Sequence, residues 1–306
     1  MFSLIFNQLV IMFMLLIVGY ICFKCKIIDQ AGNKAFSTIL LLVITPAAIL
    51  LVYQTSEFTA ERARLLGIAF IAAIASHLIM IMIAKLVFTN KNNANIGIEQ
   101  FSVVYSNSGF IGIPLISATI GAEGVFFLSA YIAVFNLFLW THGASSIKGV
   151  FSFKNVKKGI FSPVFLITIF AIALYFMRIT FPEDVLRGVE FLANTMTPLA
   201  MLVAGFSIAQ VKLKKMVTNL RIYWIVFVKG IIVPIVVMLV MHLFAVDTTV
   251  ALTMIIAVAC PTALGGAMMA MNYDKDYKYA TEIFAVSTLL AMVTIPAVIF
   301  IAEIIL

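Results

Sequence analysis

Long apolar segments separated by short polar ones fill the whole chain. A helix needs about 20 apolar residues to cross the hydrocarbon core of a bilayer. On this criterion the pattern predicts ten transmembrane helices and leaves no connection long enough for a soluble domain. The predicted spans are Phe2–Phe23, Phe36–Tyr53, Leu65–Phe88, Phe101–Ile120, Gly124–Thr141, Ile160–Met177, Phe191–Ala209, Ile222–Phe244, Val250–Met271 and Ile283–Ala302. The sequence therefore predicts an all-α polytopic membrane protein.

Composition supports a membrane-embedded chain and argues against a soluble domain or a disulfide-stabilised protein. Hydrophobic residues make up 64% of the chain and charged residues 11%, whereas a soluble domain holds about 45–50% apolar and about 25% charged residues. Three cysteines give no disulfide framework. No HExxH motif or paired aspartates occur, and the three histidines are scattered, so we expect neither an enzyme nor a metal site or cofactor.

The basic residues are distributed unevenly between the two sides of the predicted bundle. Fifteen of the twenty lie in one set of alternate connections: Lys24, Lys26, Lys34, Lys85, Lys91, Lys148, Lys154, Lys157, Lys158, Lys212, Lys214, Lys215, Arg221, Lys275 and Lys278. The other set holds only Arg62, Arg64, Arg178 and Arg187. Lysine-rich connections stay in the cytoplasm, which predicts a plasma-membrane protein with both termini outside. This asymmetry explains the net charge of +7 without a nucleic-acid partner.

The chain also repeats itself. The second span contains TPxAxL at Thr45–Leu50, and the seventh contains it again at Thr197–Leu202, 152 residues later. The same offset places His77 opposite Lys229, Gly109 opposite Pro261, and Pro114 opposite Gly266. Because five spans per copy is an odd number, the second copy must be inverted, as in many secondary transporters. We predict repeats at 1–147 and 160–306, joined by a short basic linker at 148–159.

Two of the predicted spans are interrupted at corresponding places. The fourth span has two glycines and a proline within Gly109–Pro114, and the ninth has Cys260–Gly266. Glycine and proline weaken the helical hydrogen-bond ladder, and matched interruptions indicate a midplane binding site whose freed N–H groups favour an anion. Kinked helices with close glycine packing are the alternative. The predicted substrate-binding residues are Ser106, Asn107, Ser108, Gly109, Pro114, Cys260, Pro261, Thr262, Gly265, Lys229 and His77.

Lys229 and His77 are predicted to lie inside the membrane, where a charge at a helix centre costs about 2.5–3.5 kcal/mol. Lys229 is interpreted as an anion partner or as a counter-charge within the protein, unless it extends to the interface. His77 is either a neutral, hydrogen-bonded packing residue or a proton carrier. The sequence leaves both choices open.

The stretch Asn107–Leu115 resembles the NxGFxGxPL signature of the auxin efflux carrier family, which includes bacterial relatives of the plant PIN proteins. The resemblance extends to Thr197–Leu202 and to the PTA element at Pro261–Ala263. It implies a scaffold domain and a transport domain, crossing fourth and ninth spans, elevator-like movement, a homodimer, and substrates such as auxin, malate or malonate. It also implies that Asn107, Pro114 and Pro261 line the site. The long loop of the plant carriers is reduced here to Lys148–Gly159.

These observations predict a secondary carrier of small organic anions, such as dicarboxylates or auxin-like carboxylates. The expected partners are the anion, membrane lipid and a second copy of the chain. A sodium- or proton-coupled symporter of the bile-acid symporter type is the alternative, because those proteins share the crossed-helix architecture. Export of an anion gains about 2.3 kcal/mol per charge per 100 mV of inside-negative potential, whereas uptake requires coupling or exchange.

Overall fold

The computed structural model describes residues 2–90, 92–150, 153–211 and 218–306. Within these ranges the secondary structure is helical, apart from turns and one isolated β-bridge. The helices are α1 (Phe2–Lys24), α2 (Gln30–Thr55), α3 (Ala60–Val87), α4 (Ile96–Val104), α5 (Ser108–Thr119), α6 (Ala122–Lys148), α7 (Phe153–Ile160), α8 (Pro163–Met177), α9 (Glu183–Ala209), α10 (Leu220–Leu243), α11 (Thr248–Ala259), α12 (Gly265–Asn272) and α13 (Tyr277–Ile305).

Seven of the described helices are long and apolar enough to cross a membrane: α1, α2, α3, α6, α9, α10 and α13. The predicted fourth and ninth spans are each split into two half-helices, α4 with α5 and α11 with α12. The predicted sixth span is α8, whose 15 residues extend about 23 Å, less than the roughly 30 Å hydrocarbon core. The structure therefore establishes a multi-helix membrane protein, and the count of ten spans stays a prediction.

One predicted helix boundary differs from the structure, and the predicted linker contains a helix. Helix α9 begins at Glu183 rather than Phe191, because its first turns are amphipathic and lack the continuous apolar run that marks a span. The predicted linker at 148–159 contains most of helix α7. The basic residues Lys91, Lys212, Lys214 and Lys215, which contributed to the orientation argument, lie outside the described residues.

Local sequence explains where several helices start. The Thr59 hydroxyl accepts a hydrogen bond from the Arg62 N–H at the start of α3. The Asp247 carboxylate accepts from two backbone N–H groups at the start of α11. Side-chain oxygens at this position satisfy N–H groups that have no partner inside the helix. Such caps hold the ends of these membrane helices in place.

Wide π-helical turns interrupt four of the helices. They lie at Leu40–Ile44, Ser108–Gly112, Leu139–Gly143 and Val228–Ile232. Three of them are followed two residues later by Pro46, Pro114 or Pro234. Proline has no N–H, and its ring displaces the carbonyl of the preceding turn. The preceding turn therefore widens. Such turns occur often at functional sites, and one of them carries Lys229.

The helices form two groups. Helices α1, α2, α8 and α9 pack mainly on one another, while α3 to α6 and α10 to α13 surround the crossing of the split helices. In the first group the backbones of α1 and α9 are almost in contact. A methyl group on Gly19 would meet the Leu202 backbone, and one on Gly205 would meet the Leu16 carbonyl. Only glycine permits this approach, which holds α1 firmly against α9.

Candidate functional site

The two split helices cross at their breaks and are hydrogen-bonded to each other there. Ser106 and Thr262 form an antiparallel β-bridge. The Asn107 N–H donates to the Pro261 carbonyl oxygen at 2.7 Å, and the Ala263 N–H donates to the Tyr105 carbonyl oxygen at 2.8 Å. The backbone groups that the breaks release from the helices therefore satisfy one another across the crossing.

The hydroxyls of the two bridge residues cap the opposite incoming helices. Ser106 Oγ donates to the Val258 carbonyl oxygen at 3.2 Å, and Thr262 Oγ1 donates to the Ser102 carbonyl oxygen at 2.9 Å. Val258 lies four residues before Thr262, and Ser102 lies four residues before Ser106. Carbonyls at a helix C-terminus carry partial negative charge and lack helical partners. These two bonds reduce the negative potential at the crossing.

The register of the crossing differs from the predicted repeat alignment. The 152-residue offset places Val258 at the position equivalent to Ser106, but the bridge pairs Ser106 with Thr262, one helical turn further on. In the observed register Gly109 corresponds to Gly265, so the predicted pairings of Gly109 with Pro261 and of Pro114 with Gly266 are wrong here. The reason is chain length, because the stretch from Pro198 to Thr262 is four residues longer than its first-half counterpart.

The two outgoing helices start at the crossing without side-chain caps. Among the described residues no side chain accepts from the first N–H groups of α5 or α12, so these helix ends keep their partial positive charge. Apart from the adjoining backbone, no atom of the described part of the chain lies within 4 Å of the position that a Cβ would take at Gly109 or Gly265. Open space therefore adjoins both helix starts, where a ligand atom can approach the backbone.

Lys229 brings an amine to the crossing, which carries a full charge when it is protonated. Its side chain is 1% exposed, and Nζ donates to Ser106 Oγ at 2.5 Å, the same hydroxyl that donates to Val258. The Cys260 thiol lies beside it. In the described part of the chain Lys229 forms no salt bridge. A buried ammonium with no carboxylate partner creates a strong local preference for an anion.

Two predicted site residues at the start of α5 have polar atoms without a hydrogen-bond partner among the described residues. Asn107 Nδ2 and Ser108 Oγ are buried and have no hydrogen-bond partner among the described residues. Buried polar atoms in folded proteins are nearly always paired, so unpaired ones next to open space suit ligand contacts. The structure thus brings Ser106, Asn107, Ser108, Gly109, Cys260, Pro261, Thr262, Gly265 and Lys229 together at the crossing.

Comparison with known proteins assigns this arrangement to a family. A sequence model for a family described as membrane transport protein matches residues 4–151 and 148–299, covering the chain in two repeats. The chain belongs to this family of transporters, that of the auxin efflux carriers. No curated protein matched the sequence.

His77 of the transporter lies beside the crossing rather than at its open side. Its Nδ1 is 2.8 Å from the Ala73 carbonyl oxygen, and its ring packs against Tyr131 and Phe138 at centroid distances of 4.8 and 5.2 Å. Nε2 has no partner among the described residues. This aromatic surrounding favours the packing interpretation of His77.

The transporter's site includes residues that the sequence reasoning missed. Tyr131 lies between His77 and Ser106, and Ser287 Oγ accepts a hydrogen bond from the Thr262 N–H at 3.2 Å. Ser102 provides the carbonyl that Thr262 caps. Each of the three is a common residue type within an uninterrupted apolar stretch, so no local signal marked them.

Two cavities lie on opposite sides of the transporter. The first has a volume of about 540 Å³ and is bordered by α2, α5 and α9, with Pro114, Glu183, Arg187 and Glu190 in its lining. Pro114 thus lines this cavity. The second, of about 680 Å³, lies on the lysine-rich side and is lined by residues of α4, α10 and α13. The first cavity is thus lined by two carboxylates and one guanidinium, and the second by carboxylates and two basic side chains.

Proposed function

We propose that this transporter is a secondary carrier of small organic anions, such as dicarboxylates or auxin-like carboxylates. The observation that carries the proposal is Lys229, a fully buried ammonium without a carboxylate partner among the described residues, placed against the helix crossing. The uncapped starts of α5 and α12 add to its positive potential, each equivalent to about half a unit charge. An anion at the crossing would balance charge that the described residues leave unbalanced.

The capping of two carbonyls lowers the negative electrostatic potential at the crossing but leaves the positive one. A crossing of two broken helices brings two positive and two negative helix ends together, and these would largely cancel. Ser106 and Thr262 hydrogen-bond to carbonyls of the negative ends, whereas the positive ends have no side-chain cap. The remaining potential is positive, which supports an anion over a cation as substrate.

The two helix groups support alternating access by an elevator-like movement. Helices α1, α2, α8 and α9 would form the scaffold, and the group around the crossing would carry the substrate. The first cavity lies between α5 of one group and α2 and α9 of the other, where relative movement would open or close a path. Ten spans, inverted repeats at 1–147 and 160–306, a homodimer, and a plasma-membrane location with both termini outside belong to this proposal.

Transport in proteoliposomes tests the proposal. Purified protein should accumulate a labelled dicarboxylate or aromatic carboxylate with saturation kinetics, whereas a channel would conduct much faster without clear saturation. Lys229→Gln and Asn107→Ala should each reduce the initial rate at least about tenfold, which corresponds to about 1.4 kcal/mol. Lys34→Gln removes an equal charge from an exposed position and should transport like the wild type.

Two outcomes of these transport measurements would change the proposed site or the proposed mechanism. Wild-type rates in both site variants would place the substrate elsewhere. Uptake that requires an imposed inward sodium or proton gradient would support the symporter alternative, because a uniporter moves a monoanion along the membrane potential alone.

A further inference from the structure

A second cluster of polar residues, outside the crossing, surrounds the carboxylate of Glu99 on α4. Glu99 is 1% exposed and accepts four hydrogen bonds. Arg221 donates twice, from Nε at 3.1 Å and from Nη2 at 2.7 Å. The Tyr279 hydroxyl donates at 3.1 Å, and Asn93 Nδ2 donates at 3.0 Å. These donors come from three different parts of the chain and converge on one carboxylate.

This donor set has the chemistry of a carboxylate-binding site. A guanidinium that donates two parallel bonds matches the geometry of a carboxylate, and hydroxyl and amide donors satisfy the remaining lone pairs. The Phe88 ring lies 5.2 Å from the Arg221 guanidinium and helps to orient it. Arg221 keeps a side-chain exposure of 43%, so solutes can reach the guanidinium although Glu99 itself is buried.

The cluster lies between the lysine-rich surface and the crossing. Glu99, Arg221, Tyr279 and Asn93 all line the 680 Å³ cavity on that side. Glu99 lies on α4, five residues before its end at Val104, and Ser106 follows two residues after that end. An anion that enters the cavity therefore meets this donor set.

We propose that Arg221, Tyr279 and Asn93 form an access subsite for the carboxylate of the transported anion, and that Glu99 occupies this subsite as a resident carboxylate. An arriving carboxylate exchanges with Glu99, whose side chain moves into the cavity. One carboxylate replaces another on the same donors, so the exchange changes the bonding little. This inference rests on the proposed function for the nature of its ligand.

A rescue experiment tests the subsite without measuring transport. Glu99→Ala leaves a space of carboxylate size among the three donors and should lower the melting temperature of the purified full-length protein. Sodium formate should restore it in a saturable manner, by about 4 °C at one hundred times its dissociation constant. Formamide and sodium chloride at equal concentration should not. Formate should stabilise the wild type much less than Glu99→Ala, since it must first displace Glu99 from the donors.

Two further variants serve as controls. Glu99→Gln fills the same space with a neutral group that formate must displace, so it should respond less than Glu99→Ala. Glu99→Ala combined with Arg221→Gln removes the principal donor and should not respond to formate. The subsite proposal would be overturned if formate stabilised the wild type or the double variant as much as Glu99→Ala. It would also be overturned if formate did not stabilise Glu99→Ala.

A transport measurement covers the case in which Glu99→Ala fails to fold. Glu99→Gln keeps the side-chain volume but weakens the bond to Arg221, so the substrate competes more easily. Its KM on the lysine-rich side should fall about tenfold, the equivalent of one charge-assisted hydrogen bond. An unchanged or higher KM would contradict the proposal. Failure of the anion-carrier function would appear as absent transport in the wild type, whereas failure of the subsite would leave wild-type transport intact.

Discussion

Replacing Lys229 by methionine should separate stability from function. A charge at the centre of a membrane helix costs about 2.5–3.5 kcal/mol. Its one hydrogen bond in the described structure, to Ser106 Oγ, returns about 1.5–3 kcal/mol. The difference predicts that Lys229→Met is neutral or stabilising by about 1 kcal/mol, because methionine fills a similar volume and the Ser106 hydroxyl keeps its bond to Val258.

Thermal unfolding in detergent with and without substrate measures both effects. The melting temperature of Lys229→Met should equal that of the wild type or exceed it by about 2–4 °C. The substrate should raise the melting temperature of the wild type and of Lys34→Met, an exposed lysine variant, but not that of Lys229→Met. A loss of about 3–5 kcal/mol, as when one partner of a buried ion pair is removed, would refute the reasoning, since Lys229 would then be balancing a charge within the fold.

Four other substitutions probe the crossing and its support. Thr262→Val keeps the side-chain shape but leaves the Ser102 carbonyl uncapped, so it should lower the free energy of unfolding by about 1–3 kcal/mol in chemical denaturation. Gly109→Ala and Gly265→Ala meet open space and should keep wild-type melting temperatures, while the added methyl weakens anion binding at least severalfold in a titration. Gly205→Ala places a methyl group against the Leu16 carbonyl and should reduce the yield of folded protein in size-exclusion chromatography, in contrast to the other two glycine variants.

Much of the architecture followed from the sequence because the bilayer imposes simple rules on it. Apolar runs of membrane length mark helices, and the clusters of glycine and proline at Gly109–Pro114 and Cys260–Gly266 marked both breaks that the structure has. Short or amphipathic segments were harder to predict. Helix α9 starts eight residues before the predicted Phe191, since its polar first turns face the cavity that contains Glu183 and Glu190.

The site itself was only partly predictable. The motif residues Asn107 and Pro261 were expected together, and the backbone bond between them exists. The reciprocal capping by Ser106 and Thr262 could not be predicted, because it depends on the register in which two distant helices cross. The Glu99 cluster was missed for the same reason, as its donors lie up to 180 residues from Glu99 along the chain and no local pattern connects them.

The orientation of Lys229 shows why such details depend on tertiary structure. Its depth could be judged from the sequence, but its direction could not. The π-helical turn at Val228–Ile232 holds one extra residue, and one residue changes the direction of every later side chain by about 100°. Pro234 follows this turn and makes it favourable, because proline cannot donate the bond of a regular helix there. In a regular helix through Pro234, the Lys229 side chain would point in another direction relative to the rest of α10. Lys229 would then no longer contact Ser106, and the crossing would lose the charge that attracts an anion.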